Sequence, residues 1–478
     1  MLNAGGLNIK LCNWGLVLKL DDLKKILNHD YFNFLKKLTI KTEQKVGPPK
    51  IAHSYKFVSC NNTKYICLPR TLINSFINFD LATVIDNKLS LGSRTLDGRV
   101  DFVGNLFPNQ SLICDWLCQN IFTKEKISKG DAGCIIDLMA GLGKTFVAGG
   151  VIEKLKLRTL YIVPRIHLQQ QAINDLTPIL DCSVIGSSAD ISEDISVVVI
   201  NSALKFSDDV FNSYGLVIFD EIHMYCGQVF RNIFFKAQTS CVLGMTATSH
   251  HRLDNFDSLY YKLVGPVVSA KDLPNYDPDI DRFKGEVKVI LFTGPVKTFY
   301  NDKTDKPDTQ KTIGQFIDDD NRNKLIVREA KLLYNDPNSF TYIFVEHRRH
   351  VLKLFELISN ELGIDAVSDI SSLMGNASDN DRLLATKSRI IVTTYCYSGT
   401  GISYVRMNSA IFATPRRSNY EQICRRVTRK GSDTNIIRKY VDIVDTSCFL
   451  KYQYYSRKKV YDYFNYDIHK SSINSKDL

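Results

Sequence analysis

Two short stretches of this chain carry side chains that together could cleave a phosphoanhydride. The first is Ala140-Gly-Leu-Gly-Lys-Thr145. Its glycines let backbone N–H groups close on phosphate oxygens, and a helix opening at Lys144 adds N-terminal donors and dipole. Lys144 would reach the β- and γ-phosphates of a nucleoside triphosphate, and the Thr145 hydroxyl would ligate Mg²⁺. Leu138, Met139, Ala140, Gly141, Leu142 and Gly143 make up the rest of the loop. The full pattern asks for glycine at position 138, where this chain has leucine. The second stretch, Leu216-Val-Ile-Phe-Asp-Glu-Ile-His223, is an apolar run that ends in acids. A carboxylate at a strand end suits a magnesium contact, so Asp220 is the expected second ligand. Glu221 is the expected base that orients and deprotonates the attacking water. Either stretch alone is commonly an ordinary turn; in series, followed by Ile222 and His223, they make nucleotide hydrolysis the reading.

These residues need strands that end and helices that begin beside one another. From about residue 105, short runs of apolar β-formers alternate with helical stretches: Gly133–Leu138, Thr159–Val163, Ser196–Ile200, Gly215–Phe219 and Ser240–Gly244. Continuous apolar strands separated by helices predict a parallel sheet covered on both faces. Residues 266–325 are rich in Asp, Lys and Pro, with one strand candidate at Glu286–Phe292, and read as a connector or insertion. The alternation resumes with a helix at Asn323–Tyr334 and strands at Phe340–Val345, Arg389–Thr393 and Ser409–Ala413. The expected organisation is an accessory region (1–100), a first α/β domain (101–265), a connector (266–325), a second α/β domain (326–450) and a basic, tyrosine-rich tail (451–478). The accessory region shows helical candidates at Asp21–Leu38, β-like runs at Ser54–Ser59 and Lys64–Leu68, and no chemical motif.

At 478 residues, 44% hydrophobic and 23% charged, the chain is an ordinary globular one with length for two or three domains. No run approaches the ~18 uncharged apolar residues of a membrane span. Met1–Leu20 carries Lys10 and Lys19 within it and does not read as a secretory signal. The 12 cysteines form no CxxC pair, so no structural zinc is expected, and reduced thiols of an intracellular protein are the reading. Of the histidines that invite a metal reading, His223 belongs to the acidic stretch after Leu216, and His250 and His251 lack matching ligands. The net charge is +10, and residues 415–460 hold 12 Lys and Arg against 4 acids. There Tyr452, Tyr454, Tyr455, Tyr461 and Tyr463 interleave with Arg457-Lys-Lys459. Lysine and arginine neutralise phosphates and aromatics stack on unpaired bases. An amphipathic helix that packs its tyrosines inward fits the same spacing.

The motifs in order resemble those of the superfamily 2 DExH-box helicases over residues 105–450. Gln110, in Phe107-Pro-Asn-Gln, resembles the adenine-reading glutamine. Val163-Pro-Arg165 with Gln171 resembles a nucleic-acid-contacting segment. Thr246, Ala247 and Thr248 stand where the family has Ser-Ala-Thr, the link between ATP and nucleic-acid sites. Tyr342-Ile-Phe-Val-Glu-His347 opens the second lobe. Thr394 and Gly401, in Thr393-Thr-Tyr-Cys-Tyr-Ser-Gly-Thr-Gly401, resemble its next motif, and Gln422-Ile-Cys-Arg-Arg-Val-Thr-Arg429 resembles the last. Tyr397-Ser-Gly-Thr-Gly401 is similar to the poxvirus transcript-release DNA helicase. Ala413-Thr-Pro-Arg-Arg417 and Glu421-Gln-Ile423 are similar to the asfarvirus helicase, which points to the large cytoplasmic DNA viruses.

The resemblance implies two tandem RecA-like P-loop domains with ATP and Mg²⁺ between them, and Arg426 and Arg429 as charge-neutralising arginines. It implies a DNA helicase or translocase of 3′-to-5′ direction in transcript release or termination, with the transcription machinery as a further partner. Its expected place is the host cytoplasm at the viral factory, with packaging in the virion. Two alternatives stay open: an RNA helicase, and a non-hydrolysing nucleic-acid-binding scaffold. Departures from the family pattern are Leu138, Thr246, Ser249, Ser403 and Arg425. Arg425 replaces a glycine and is expected to crowd the phosphate end of the site with a third cation.

Overall fold

The computed structural model describes residues 8–12, 15–42, 49–73, 83–88, 96, 100–138, 142–182, 184–186, 194–227, 229–237, 239–247, 257–278, 280, 283–363, 368–375, 377–398, 404–416, 420–428, 433 and 435–478. The chain divides into two compact units, Met1–Ile280 and Asp281–Leu478.

The first unit opens with seven strands: β1 (Asn8–Cys12), β2 (Gly15–Lys19), β3 (Thr39–Thr42), β4 (Lys50–His53), β5 (Lys56–Cys60), β6 (Thr63–Pro69) and β7 (Thr83–Lys88). Five of them form a sheet in the order β5-β6-β2-β1-β7, and β3 pairs with β4. Helices α1 (Leu20–Leu27) and α2 (Tyr31–Lys37) cover one face of that sheet. Leu20, Leu23 and Tyr31 are buried there with Ile9, Leu16, Leu18, Ile66 and Leu68. In α1 the apolar residues fall at helical spacing, which yields the single buried stripe. The buried Arg70 ties this region to the rest of the unit, donating to the carbonyls of Thr239 at 2.9 Å, Ser240 at 3.3 Å and Ala132 at 3.4 Å. The Thr71 hydroxyl donates to the Lys262 carbonyl at 2.6 Å. Residues 1–100 thus belong to the first unit.

Seven further strands make a wholly parallel sheet: β8 (Gly133–Asp137), β9 (Thr159–Val163), β10 (Val184–Gly186), β11 (Ile195–Val199), β12 (Leu216–Asp220), β13 (Cys241–Thr246) and β14 (Val267–Ser269). Their order is β10-β11-β9-β12-β13-β8-β14. Every residue of β9, β11 and β13 is buried, as expected of strands covered on both faces. Helices α3 (Pro108–Asn120), α4 (Lys144–Leu155) and α5 (Ile166–Leu176) are among those that flank it.

The second unit repeats the plan with β15 (Gly285–Thr293), β16 (Thr341–Val345), β17 (Ile370–Leu373), β18 (Ile390–Thr394), β19 (Ser409–Phe412), β20 (Arg438–Asp445) and β21 (Asp467–Asn474). All are parallel, in the order β17-β18-β16-β19-β20-β15-β21. Its helices include α6 (Asp320–Tyr334), α7 (Tyr420–Cys424) and α8 (Gln453–Phe464). Separate apolar cores fill the two faces of the sheet. The two tandem RecA-like domains that the motifs implied are thereby present as two parallel sheets.

Two boundaries differ from the sequence reading. Residues 266–325 are not a connector: β14 completes the first sheet, β15 enters the second, and the helix Thr309–Asp318 buries Ile313, Phe316 and Ile317. Charged loops dominated the composition of that segment and hid these short apolar elements. Residues 451–478 are not a tail, because α8 packs on the second sheet and β21 extends it.

Candidate active site

In the first sheet β13 lies between β8 and β12, so the ends of three adjacent strands meet. The phosphate-type loop leaves β8, Asp220 and Glu221 end β12, and Thr246 ends β13. The crevice outside the carboxyl ends of such strands is where open α/β sheets bind ligands. Leu138 is fully buried and its N–H donates to the Thr246 carbonyl at 2.8 Å, so the leucine that replaces glycine serves as core beneath the loop. Helix α4 then starts at Lys144 with Gly143 as its cap, at φ +76°.

The charged groups converge. Lys144 Nζ donates to Glu221 Oε1 and lies 4.0 Å from Asp220 Oδ1. Burial pushes the Asp220 carboxyl up to about 6, against the opposing pull of Lys144. Asp220 Oδ1 has no hydrogen-bond partner among the described residues. Glu221 adopts a left-handed backbone, φ +51°, as the chain turns out of β12. His223 Nδ1 lies 3.4 Å from Glu221 Oε2 and shares a 2.9 Å hydrogen bond with the Thr246 hydroxyl. Ile222 is buried in the core. Thr145 occupies the first turn of α4, and Ala247 follows β13, half-buried.

Gln110 is buried on α3 and both ends of its amide are used within the fold. Its Nε2 donates to the Leu142 carbonyl at 2.7 Å, and its Oε1 accepts from the Phe107 N–H at 3.0 Å. The glutamine therefore braces the loop from the side. The neighbouring Asn109 side chain holds the Asp277 backbone in both directions, at 2.7 and 3.1 Å. Arg165 is exposed at the start of α5, and Gln171 lies further along that helix.

In the second unit Thr394 ends β18, buried, and its hydroxyl accepts from the Tyr397 N–H at 3.3 Å. Gln422 is half-buried on α7, and Arg426 is buried in the turn Arg425–Val427. Arg425 is not a third cation left over for phosphate. Its Nε donates to Glu421 at 3.1 Å, and its guanidinium lies 4.5 Å from the centroid of the Phe464 ring. Met139, Ala140, Gly141, Thr248, Gly401 and Arg429 lie outside the described residues.

Several cations of the basic window 415–460 are spent inside the second unit. Arg457 makes a bidentate pair with buried Asp442, both contacts at 2.9 Å. Arg438 donates to the carbonyls of Ile436 and Asp433 and lies over the Phe283 ring. Arg416 pairs with Glu346 at 3.0 Å. Tyr454 and Tyr461 are buried, whereas Tyr452, Tyr455 and Tyr463 are exposed. The inward-packing helix thus accounts for two of the five tyrosines.

Sequence reasoning did not find Tyr161. It lies fully buried on β9, with its hydroxyl pushed well above the ordinary range by burial and by the charge of Asp220. It sits in an uninterrupted apolar run, which carries no mark of proximity to an acid.

The family described as Type III restriction enzyme, res subunit, matches residues 105–251. The chain is 32% identical to the African swine fever virus protein QP509L, provisionally named an ATP-dependent RNA helicase, over 96% of this chain and 92% of that one. It is 34% identical over 141 residues to the DNA 3′-5′ translocase XPB2 of Sulfurisphaera tokodaii, which covers 29% of this chain and 32% of the other. Among solved structures, Mss116p bound to single-stranded RNA and AMP-PNP aligns with a TM-score of 0.51 at 14% identity. That match covers 77% of this chain and 74% of the other, and it is a likeness of fold.

Proposed function

Because the chain belongs to the viral superfamily 2 helicases that include African swine fever virus QP509L, and so hydrolyses ATP, we propose that it is a DExH-type DNA helicase or translocase acting in transcript release or termination. The observation that carries the chemistry is the convergence of Lys144, Asp220 and Glu221 at neighbouring strand ends. With a triphosphate in the loop, Lys144 would move from Glu221 to the β- and γ-phosphates. Glu221 would then be released to align and deprotonate a water. The backbone N–H groups at the start of α4 would hold the phosphates, and Gln110 would keep Leu142 and Gly143 in place around them.

Thr145 and Asp220 are the residues that would hold Mg²⁺, and the orphaned Oδ1 of Asp220 fits a metal or a metal-bound water. When bound, the ion would supply positive charge that offsets that of the triphosphate. Arg426 and Arg429 are assigned the transition-state charge, a role worth about 10³–10⁵ in rate.

The DNA preference and the 3′-to-5′ direction are supported by the likeness to the DNA 3′-5′ translocase XPB2. The transcription role is supported by the resemblance of Tyr397-Ser-Gly-Thr-Gly401 to the transcript-release helicase. The setting proposed with it is the host cytoplasm, with packaging in the virion. A second reading, an RNA helicase, is favoured by the provisional name of QP509L. ATP turnover with matched single-stranded DNA and RNA, and unwinding of 3′-tailed, 5′-tailed and RNA-containing duplexes, separates the two. Stimulation by DNA and unwinding of the 3′-tailed DNA duplex is the expected result. Stimulation by RNA alone overturns the DNA assignment, and full turnover in Glu221→Gln overturns the base assignment.

A further inference from the structure

Residues 1–73 hold 12 Lys and Arg against 4 Asp and Glu, a net +8 in a chain of +10. Of that excess Lys10, Lys19, Lys56 and Lys64 lie on the strands of a sheet that ends in a hairpin. β5 and β6 are joined through Asn61 and Asn62, both left-handed at φ +46° and +61°, as a two-residue hairpin turn requires. The hairpin end of the sheet is exposed on both faces, with Phe57 53% and Val58 39% exposed.

One face sets the Tyr65 ring beside an ammonium group, and the other carries Phe57 on the same side as Lys64. Tyr65 is the register partner of Val58 on one side and of Lys19 on the other. Lys10 pairs with Val17, which pairs with Cys67, two residues along from Tyr65 and so on the same face. Lys10 Nζ lies 5.9 Å from the centroid of the Tyr65 ring. On the opposite face, Phe57 shares its side of the hairpin with exposed Lys64 and lies 5.4 Å from the ring of Tyr55, which in turn lies 5.0 Å from His53.

Alternating rings and lysines on an exposed strand pair fit unpaired bases that stack and phosphates that are neutralised. An acidic protein surface would match the charge but leaves the exposed Phe57 ring without a role. We propose that the β5–β6 hairpin, with Lys10 and Lys19, is a second nucleic-acid contact that grips a single strand independently of ATP. On one face Tyr65 stacks on a base while Lys10 and Lys19 meet phosphates, and the strand rounds the hairpin turn to meet Phe57 and Lys64 on the other. The proposal rests on the helicase reading and extends it to the accessory region. Arg70 and Thr71 fasten that region to the ATP-binding lobe, so a strand held by the hairpin stays beside the motor.

The test uses the full chain and fluorescent oligothymidylate and oligouridylate, with binding followed by anisotropy across a salt series without nucleotide. Lys10→Gln with Lys19→Gln is expected to reduce the slope of log K against log salt by about 0.7 for each phosphate left without its lysine. Phe57→Ala with Tyr65→Ala is expected to weaken binding about tenfold at fixed salt with the slope kept, and Phe57→Tyr with Tyr65→Phe to restore it. ATP turnover without nucleic acid should be that of the wild type throughout. If the alanine pair lowers the thermal midpoint, the lysine pair, which removes no core side chain, decides. Variants that match the wild type in affinity and slope overturn the hairpin assignment and leave the helicase reading intact. A wild-type protein that binds neither oligonucleotide without nucleotide overturns the hairpin contact, whereas the helicase reading falls only if neither stimulates ATP turnover.

Discussion

His223 and Thr246 join the ends of two adjacent strands through a 2.9 Å hydrogen bond between the imidazole Nδ1 and the threonine hydroxyl. The same nitrogen lies 3.4 Å from Glu221, and Glu221 accepts from Lys144. A polar chain thus runs from the phosphate loop to the segment that begins at Thr246. Thr246→Val keeps the shape and removes the hydroxyl. ATP turnover without nucleic acid should stay near the wild type, while its stimulation by nucleic acid falls severalfold. His223→Ala should do the same, and the double variant should be no worse than either, because both cut one link. Additive losses in a turnover assay would show that the two side chains act separately.

Gly143→Ala should damage nucleotide binding more than the fold. A left-handed backbone costs a non-glycine residue about 1–2 kcal/mol, and Gly143 sits at φ +76°. A Cβ there would also stand 2.6 Å from Gln110 Nε2, the atom that holds the Leu142 carbonyl. The loop must shift or release its brace. An increase of about tenfold in the KM for ATP, or about 1.4 kcal/mol, is expected, with oligonucleotide binding in the absence of nucleotide unchanged. Steady-state kinetics and anisotropy on the same preparation check both halves.

Much of this site is legible in the residues because its chemistry is local: glycines before a lysine, and acids at the end of an apolar run. Position along the chain then fixes position in a parallel sheet, since each strand delivers its carboxyl end to the same edge. What escapes is whatever depends on a distant partner. Arg457 reads as part of a basic face until Asp442 is found opposite it. Arg425 reads as crowding a phosphate until Glu421 and Phe464 take it up. β14 and β21 are too short or too polar to announce themselves, and only pairing with β8 and β15 makes them strands. The charge of the first 73 residues was countable, but without the hairpin it had no shape.

Arg457→Met should destabilise the second unit by about 3–5 kcal/mol, the cost of stranding a buried carboxylate. Asp442 also accepts from the Tyr461 hydroxyl at 2.7 Å, and Tyr461 shares a hydrogen bond with Tyr420 on α7. Helix α8 therefore supports the helix that carries Gln422. A lower thermal midpoint is expected together with reduced ATP turnover below that midpoint. Combining Arg457→Met with Asp442→Asn removes both charges and should recover part of the midpoint. A double variant no more stable than Arg457→Met alone would assign the loss to packing.

Asp220 links the site to pH. Its folded-state carboxyl is raised to about 6 from the ordinary value of 3.8, chiefly by burial. Below about 3.8 the group is protonated in both states and costs nothing. As pH rises through that value the unfolded chain releases its proton first, so stability falls until the folded group ionises near 6, and the penalty then levels off. The span corresponds to about 3 kcal/mol at 1.36 kcal/mol for each unit, with the opposing pull of Lys144 already contained in it. Asp220→Asn removes the titration. In the absence of nucleotide the variant should melt higher than the wild type at about pH 7.5, with the difference shrinking to nothing near pH 4, and it should hydrolyse no ATP. Thermal scans across that range check the sign: a variant less stable at neutral pH would mean that the carboxylate is held by its neighbours more strongly than burial opposes it. The expected trade of stability for turnover follows from placing an incompletely satisfied acid where a metal-bound triphosphate would later complete it.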